Sequence, residues 1–148
     1  MAVQYALVAS NGEVQHVVSP GHDNDYTNGQ VYDGLTAVEV SSDTDAMDLI
    51  QLKYYANGAW QTRAARTSVW QDWSGTEWAF NAQRFWVHVR RERDMKLMAS
   101  DWTQMTDVNL NAAPKQAWIA YRAALRNVPA DNAGVVDIEN INWPTQPE

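Results

Sequence analysis

The sequence contains no cysteine. Disulfide bonds and thiolate chemistry are therefore excluded, and a cytosolic protein is the simplest interpretation. No apolar run approaches the roughly 18 residues that a membrane-spanning helix needs. The first residues also lack the basic region and apolar stretch of a signal peptide. We therefore expect a protein of the cytoplasm that has no membrane partner.

Motifs of catalysis and metal binding are also missing. The sequence has no phosphate-binding glycine loop, no Gly-x-Ser-x-Gly nucleophile motif and no tight pair of carboxylates. The oxygen-rich segment 22–29 lacks the spacing of a calcium-binding EF-hand, which favours a solvated loop. We expect no enzyme, no catalytic residue, no cofactor and no metal site, although two acids brought together by folding would still permit sugar cleavage. Metal-ligand spacing is absent among the three histidines, His16, His22 and His88.

Charge is distributed unevenly along the chain. Residues 1–52 contain eight acids and neither lysine nor arginine, whereas residues 83–126 contain eight basic residues and four acids. This asymmetry predicts two modules with different surfaces. Glu92 and Asp94 interrupt the basic run, and helical spacing would spread its charges around a helix. We therefore expect ion pairs within and between helices, and no nucleic-acid partner.

Tryptophan is unusually abundant, with eight residues in a chain of 148. Seven of the eight fall between Trp60 and Trp118. Tryptophan is favoured both in tight cores and at binding surfaces, because it buries a large area and carries a polar N–H. Composition leaves both interpretations open.

The N-terminal half reads as a small, mostly antiparallel β module over residues 1–80. Two Asn-Gly pairs predict hairpins, since this dipeptide suits the positive φ angles of a tight turn. Asn11-Gly12 lies between strands at 3–9 and 13–18, and Asn57-Gly58 lies between 50–56 and 59–63. The other predicted elements are a turn-rich loop at 19–34, strands at 35–40 and 77–80, and a short helix at 46–49 that residues 42–45 cap.

After about residue 81 the pattern becomes helical. Residues 82–99 contain neither glycine nor proline, and a second helix is expected at 115–126, with Pro114 in its first turn and Pro129 as its stop. Together they predict an antiparallel helical hairpin with an extended tail, which makes the whole chain an α+β protein. The predicted inner faces are Trp86, Val89, Arg93 and Leu97 on the first helix, and Trp118, Tyr121, Arg122 and Leu125 on the second.

Three stretches of the C-terminal half carry a resemblance to a known family. Residues 90–104 read Arg-Arg-Glu-Arg-Asp-Met-Lys-Leu-Met-Ala-Ser-Asp-Trp-Thr-Gln, residues 118–126 follow the pattern Trp-x-x-Tyr-Arg-x-x-Leu-Arg, and Trp143-Pro144 follows near the C-terminus. This combination resembles the C-terminal domain of bacteriophage tail-fibre assembly chaperones over residues 84–145. The N-terminal half is similar to the family only in outline, as a small β region that precedes the helices.

The resemblance implies a partner-binding role with a tail-fibre protein, which forms long β-rich trimers. Unfinished fibre chains expose strand edges and apolar surface that invite aggregation, and a chaperone would shield them in the host cytoplasm. A second hypothesis is a structural protein that stays bound to the fibre or baseplate of the virion tail. A third is a carbohydrate-binding module, because tryptophan faces stack on sugars.

The resemblance also leads to residue predictions. We expect Asp94 to pair with Arg122, and Asp101 with Arg126, to hold the helices in register. The predicted helical core is Trp86, Leu97, Trp102, Trp118, Tyr121 and Leu125, and the predicted partner contacts are Trp60, Trp70, Trp73 and Trp78.

Overall fold

The structure is a computed structural model that describes residues 3–21 and 25–148. His22 and the start of the oxygen-rich segment lie outside the described residues. The chain divides into two compact units, Met1–Ala79 and Phe80–Glu148, referred to below as unit 1 and unit 2. Antiparallel strands dominate the first and helices the second, so the predicted α+β class is confirmed.

Unit 1 is built on a four-stranded antiparallel sheet with the strand order β2-β1-β4-β3. Its two faces bury separate apolar clusters, one around Ala6 and Val38 and one around Leu7 and Ala37. Period-two alternation along β1 and β4 explains why consecutive residues fall on opposite faces. The strands are β1 (Val3–Val8), β2 (Val14–Val18), β3 (Val31–Tyr32) and β4 (Leu35–Ser41).

Both Asn-Gly turns form where they are predicted. Gly12 has a φ of +83°, and Asn57 and Gly58 have φ angles of 53° and 77°. Such angles are unfavourable for most side chains, which is why these two dipeptides specify the hairpins. At Gly12 a side chain would also overlap with the backbone carbonyl of Tyr55, because the first hairpin packs directly against the second.

The remainder of unit 1 departs from prediction at two points. Residues 50–52 were expected in a strand but form the end of helix α1 (Ala46–Leu52). Asp45 caps the start of this helix, where it accepts hydrogen bonds from two amides of the first turn. Strand β3 lies inside the predicted loop at 19–34, where Val31 pairs with Thr36. The later strands are β5 (Lys53–Ala56), β6 (Ala59–Thr62), β7 (Gln71–Trp73) and β8 (Trp78–Phe80), which form the pairs β5-β6 and β7-β8.

Unit 2 consists of two long helices, two 3₁₀ turns and an irregular tail. Helix α2 spans Ala82–Ala99, a 3₁₀ turn follows at Asp101–Gln104, and helix α3 spans Ala112–Asp131. A second 3₁₀ turn covers Ile138–Asn140. The helices contact one another, and no helix of the described chain has the length and apolarity needed to cross a membrane.

The prediction that Pro129 ends the second helix was wrong. Proline in a helix removes one N–H donor, so the carbonyl of Leu125 loses its usual partner. Only two residues of α3 follow Pro129, and the cost is limited to this last turn. Asn132 then caps the helix, since its Nδ2 donates to the Val128 carbonyl at 2.8 Å. The Asn132 Oδ1 also accepts from the Asn142 amide at 2.8 Å, which fixes the tail.

Candidate functional site

Arg122 is the centre of a buried polar network in unit 2. Its guanidinium donates to the Leu97 carbonyl at 2.6 Å, to the Ser100 Oγ at 2.8 Å and to the Asp101 Oδ1 at 2.7 Å. The last carbonyls of an α-helix have no intrahelical partner. Ser100 also donates to the Leu97 carbonyl, at 2.9 Å. Arg122, in the middle of α3, therefore supplies a donor for a carbonyl at the C-terminal end of α2.

Both predicted ion pairs were wrong in their pairing. Asp94 contacts its neighbour Arg93 at 2.6 Å, and its side chain is 60 % exposed. Asp101 pairs with Arg122 at 2.7 Å rather than with Arg126. The physical reason is the position of Asp101: it opens the 3₁₀ turn just after α2, beside the same carbonyl that Arg122 caps, whereas Asp94 lies almost two turns earlier.

An aromatic cluster lies beside this network. Trp118, Tyr121 and Leu125 form the buried centre, with Leu97, Leu110 and Trp143 packed around them. The Lys96 Nζ lies 5.3 Å from the centroid of the Trp143 ring, within the range of a cation–π interaction. These contacts agree with the predicted core positions Leu97, Trp118, Tyr121 and Leu125.

Two predicted core tryptophans are placed differently. The buried residue at the start of α2 is Phe85, and Trp86 is half-buried against it with ring centroids 5.1 Å apart. Phe85 therefore takes the inward position predicted for Trp86, whereas Val89 and Leu97 lie inward where they were predicted. Trp102 is 45 % exposed, although its ring contacts Trp118 at 5.8 Å. It is partly available to a partner because it lies in the exposed 3₁₀ turn rather than on a helix face.

Helix α2 also exposes three large apolar side chains on one side. Val87, Met95 and Met98 are 59 %, 52 % and 68 % exposed. At about 100° per residue these three positions fall within roughly 80° of arc, and the exposed Arg91 lies among them. We call them the outer face of α2. Methionine side chains adapt their shape to different apolar partners, which suits a surface that meets an incompletely folded chain.

Of the four tryptophans predicted as partner contacts, one is buried and three are half-buried. Trp73 is only 6 % exposed, so it offers a partner almost no surface, which corrects the prediction for this residue. Trp60 is half-buried and packs on Tyr55 with ring centroids 5.0 Å apart. Trp78 is half-buried and its Nε1 donates to the Ala64 carbonyl at 2.8 Å. Trp70 is half-buried as well.

No sequence pattern indicated the residue that packs against both Trp73 and Trp78. The Arg63 side chain is 2 % exposed, and its Cζ lies 4.7 Å from the Trp73 ring centroid and 4.4 Å from that of Trp78. It also contacts Glu13 at 3.3 Å and donates to the Ile50 carbonyl at 2.8 Å. Burial lowers the pKa of Arg63, and the charge of Glu13 opposes that shift.

Two shallow grooves flank the Arg63 cluster. One of about 430 Å³ runs past Glu13, Arg66 and Trp78, and one of about 330 Å³ lies beside Thr62 and Trp73. Within residues 3–21 and 25–148, no group of three or more histidine, aspartate or glutamate side chains is arranged to hold a metal ion.

The C-terminal geometry coincides with a family match. Residues 86–148 match the family of phage tail assembly chaperone proteins. That segment is similar to the family, and the resemblance seen in the sequence is confirmed there. It contains the Arg122 network, the aromatic cluster and the outer face of α2. No curated protein and no solved structure matches the chain. The family match supports a role in phage tail assembly.

Proposed function

We propose that the chain is a tail-fibre assembly chaperone, which binds fibre chains in the host cytoplasm and assists their folding and trimerisation. The observation that carries this proposal is the exposed apolar outer face on a helix of the family-matched segment. Large apolar side chains gathered on one exposed face are characteristic of protein-binding surfaces. The role requires binding without turnover, and the proposal assigns no catalytic residue.

The Arg122 network explains how such a face is presented. A chaperone surface has to stay exposed without unfolding the scaffold that carries it. Arg122 and Ser100 fix the C-terminal end of α2, one turn from Met95 and Met98. Trp118 and Leu125 bury the opposite side against Leu97. The scaffold is therefore stable, while the outer face remains free to contact apolar segments of a fibre chain.

The first testable prediction concerns this outer face. Co-expression of the fibre chain of the same phage with the Met95→Ser/Met98→Ser variant should lower the yield of soluble fibre trimer by roughly threefold or more, because central apolar contacts dominate binding. Trimer is measured by size-exclusion chromatography with light scattering. The matched control is Met47→Ser in unit 1, since Met47 is 57 % exposed but lies outside the family-matched segment.

Two results would contradict the proposal. Trimer yield that does not depend on the wild-type chain would remove the chaperone role. The chain in stoichiometric amount in purified virions, measured by mass spectrometry, would instead favour a structural component of the tail. Equal loss of trimer with Met47→Ser would show that the outer face of α2 has no special part in binding.

A further inference from the structure

Strand β6 has one paired and one unpaired edge. Trp60 of β6 lies opposite Tyr55 of β5. The Tyr55 amide, however, donates to the Gly12 carbonyl at 2.8 Å, on the far side of β5. Because opposite residues in an antiparallel ladder alternate between hydrogen-bonded and non-hydrogen-bonded pairs, Tyr55 and Trp60 form a non-hydrogen-bonded pair. The backbone N–H and C=O of Trp60 therefore point away from β5.

The same alternation applies to Thr62, two residues further along β6. The next inward contact comes from Arg63, whose amide donates to the Leu52 carbonyl at 2.8 Å. Thr62 therefore turns its N–H and C=O outward, as Trp60 does. Across the described part of the chain, no backbone hydrogen bond reaches these outward groups. The side chains of Gln61 and Thr62 are exposed, so the edge is accessible.

Unpaired backbone groups on a strand edge are complementary to one kind of partner, another extended strand. The other edges of unit 1 are less suitable. Strand β3 has only two residues, and the pairing of β1 with the edge strand β2 has an irregular register between Leu7 and Val8. Strand β6 contains no proline and has a regular register along its whole length.

Charge beside this edge indicates what the docking strand should carry. The Lys53 Nζ donates to the Thr62 Oγ1 at 3.0 Å and has no carboxylate partner among the described residues. This contrasts with residues 1–52, which contain eight acids and no basic residue. A carboxylate on the incoming strand would be attracted here.

A pocket lies at the C-terminal end of the edge. The groove of about 330 Å³ is lined by Thr62 of β6, by the rings of Tyr54, Trp73 and Trp78, and by the charged residues Arg63 and Glu77. Side chains of a docked strand alternate between its two faces, so an apolar one would reach this aromatic lining, while the acidic one would lie on the side of Lys53, away from Glu77. Backbone pairing would supply affinity, and the pocket and Lys53 would supply selectivity.

We propose that β6 is a docking edge for an extended, unpaired strand of the fibre chain, with apolar side chains and an acidic residue. This inference rests on the proposed function and names the way in which unit 1 engages the partner. The outer face of α2 would contact apolar surface of the fibre chain. Strand β6 would pair with the backbone edge of an unfinished fibre strand, the edge through which such strands aggregate.

The test uses the full chain and short overlapping synthetic peptides that cover the fibre sequence of the same phage. Thr62→Pro removes the outward N–H and leaves the bonds to β5 in place, whereas Thr62→Val keeps that N–H and removes only the hydroxyl. Fluorescence polarisation should show that Thr62→Pro weakens binding of the best peptide by roughly tenfold or more. Thr62→Val should bind like the wild type.

Hydrogen exchange gives a readout that does not depend on the variants. In the wild-type chain the bound peptide should slow exchange of the Trp60 and Thr62 amides. Peptide binding that survives Thr62→Pro, with protection elsewhere, would overturn the docking edge and leave the chaperone role intact. Absence of binding by any fibre peptide would overturn this inference, while failure of fibre co-expression to depend on the chain would overturn the proposed function itself.

Discussion

Each unit contains one buried arginine, but the two are held by different kinds of partner. Arg63 in unit 1 packs against two indole rings and contacts Glu13, which is 50 residues away in the sequence. Arg122 in unit 2 donates to a carbonyl, a hydroxyl and a carboxylate that all come from residues 97–101. A guanidinium is suited to both arrangements because it stacks on aromatic faces and presents several fixed donors.

The two arginines differ in how far apart in the sequence their partners lie. The partners of Arg122 form one continuous segment at the end of a helix, so a short motif describes the whole network. Arg63 instead joins Glu13, Ile50 and Trp73, which belong to separate elements. We infer that unit 1 depends for its stability on contacts between distant parts of the sequence. Unit 2 depends instead on the bonds from Arg122 to the single segment 97–101, which we call the local clip.

The largest effect is expected for Arg63→Met. Its loss leaves the carboxylate of Glu13 without its partner and two indoles without the cation that packs against them. Removing one member of a buried ion pair costs about 3 kcal/mol or more. We expect the free energy of unfolding of unit 1 to fall by about 3 kcal/mol, measured by urea unfolding with tryptophan fluorescence and by hydrogen exchange of β4.

Arg66→Met is the matched control, since Arg66 lies 6.0 Å from the Trp78 ring and its side chain is exposed. A surface substitution of this kind should change stability by about 0.5 kcal/mol or less. Equal effects of the two variants would show that the buried arginine does not hold unit 1 together.

Arg122→Met should have the second largest effect. Methionine would fill much of the space, but the Leu97 carbonyl and the Ser100 hydroxyl would lose a charged donor. The Asp101 side chain is 57 % exposed, so water can take the place of the guanidinium there. We expect a loss of about 2 kcal/mol, measured from hydrogen exchange of α3. A loss larger than that of Arg63→Met would reverse the comparison.

Local signals explain what the sequence predicted correctly. The turns at Gly12 and Asn57 need positive φ angles, and the start of α1 needs the side-chain oxygen of Asp45. The Asn-Gly dipeptides and the capping residue were therefore enough to predict these elements. The role of Arg63 was not predictable, because its partners lie in distant parts of the sequence. Helical periodicity placed Trp86 inside, but packing selected its neighbour Phe85. Val89 and Leu97 lie inward as predicted, so the pattern was wrong only in choosing between two adjacent aromatic residues.

The smallest effect is expected for Asp101→Asn. Asparagine keeps an oxygen that can accept from Arg122 and removes only the charge of a side chain that is 57 % exposed. Exposed ion pairs contribute about 0.5 kcal/mol, and that contribution is screened by salt. The loss of stability should therefore be about 0.5 kcal/mol at low salt and should shrink as the salt concentration rises. Urea unfolding at two salt concentrations measures it.

Asp94→Asn is the control for this last variant, because Asp94 is 60 % exposed and pairs only with its sequence neighbour Arg93. That pair joins no separate segments, so its loss should leave stability unchanged. If Asp101→Asn instead costs as much as Arg122→Met, the carboxylate is the main anchor of the network. Unit 2 would then depend on an ion pair, as unit 1 does, and the contrast between a local clip and a long-range cluster would lose its physical basis.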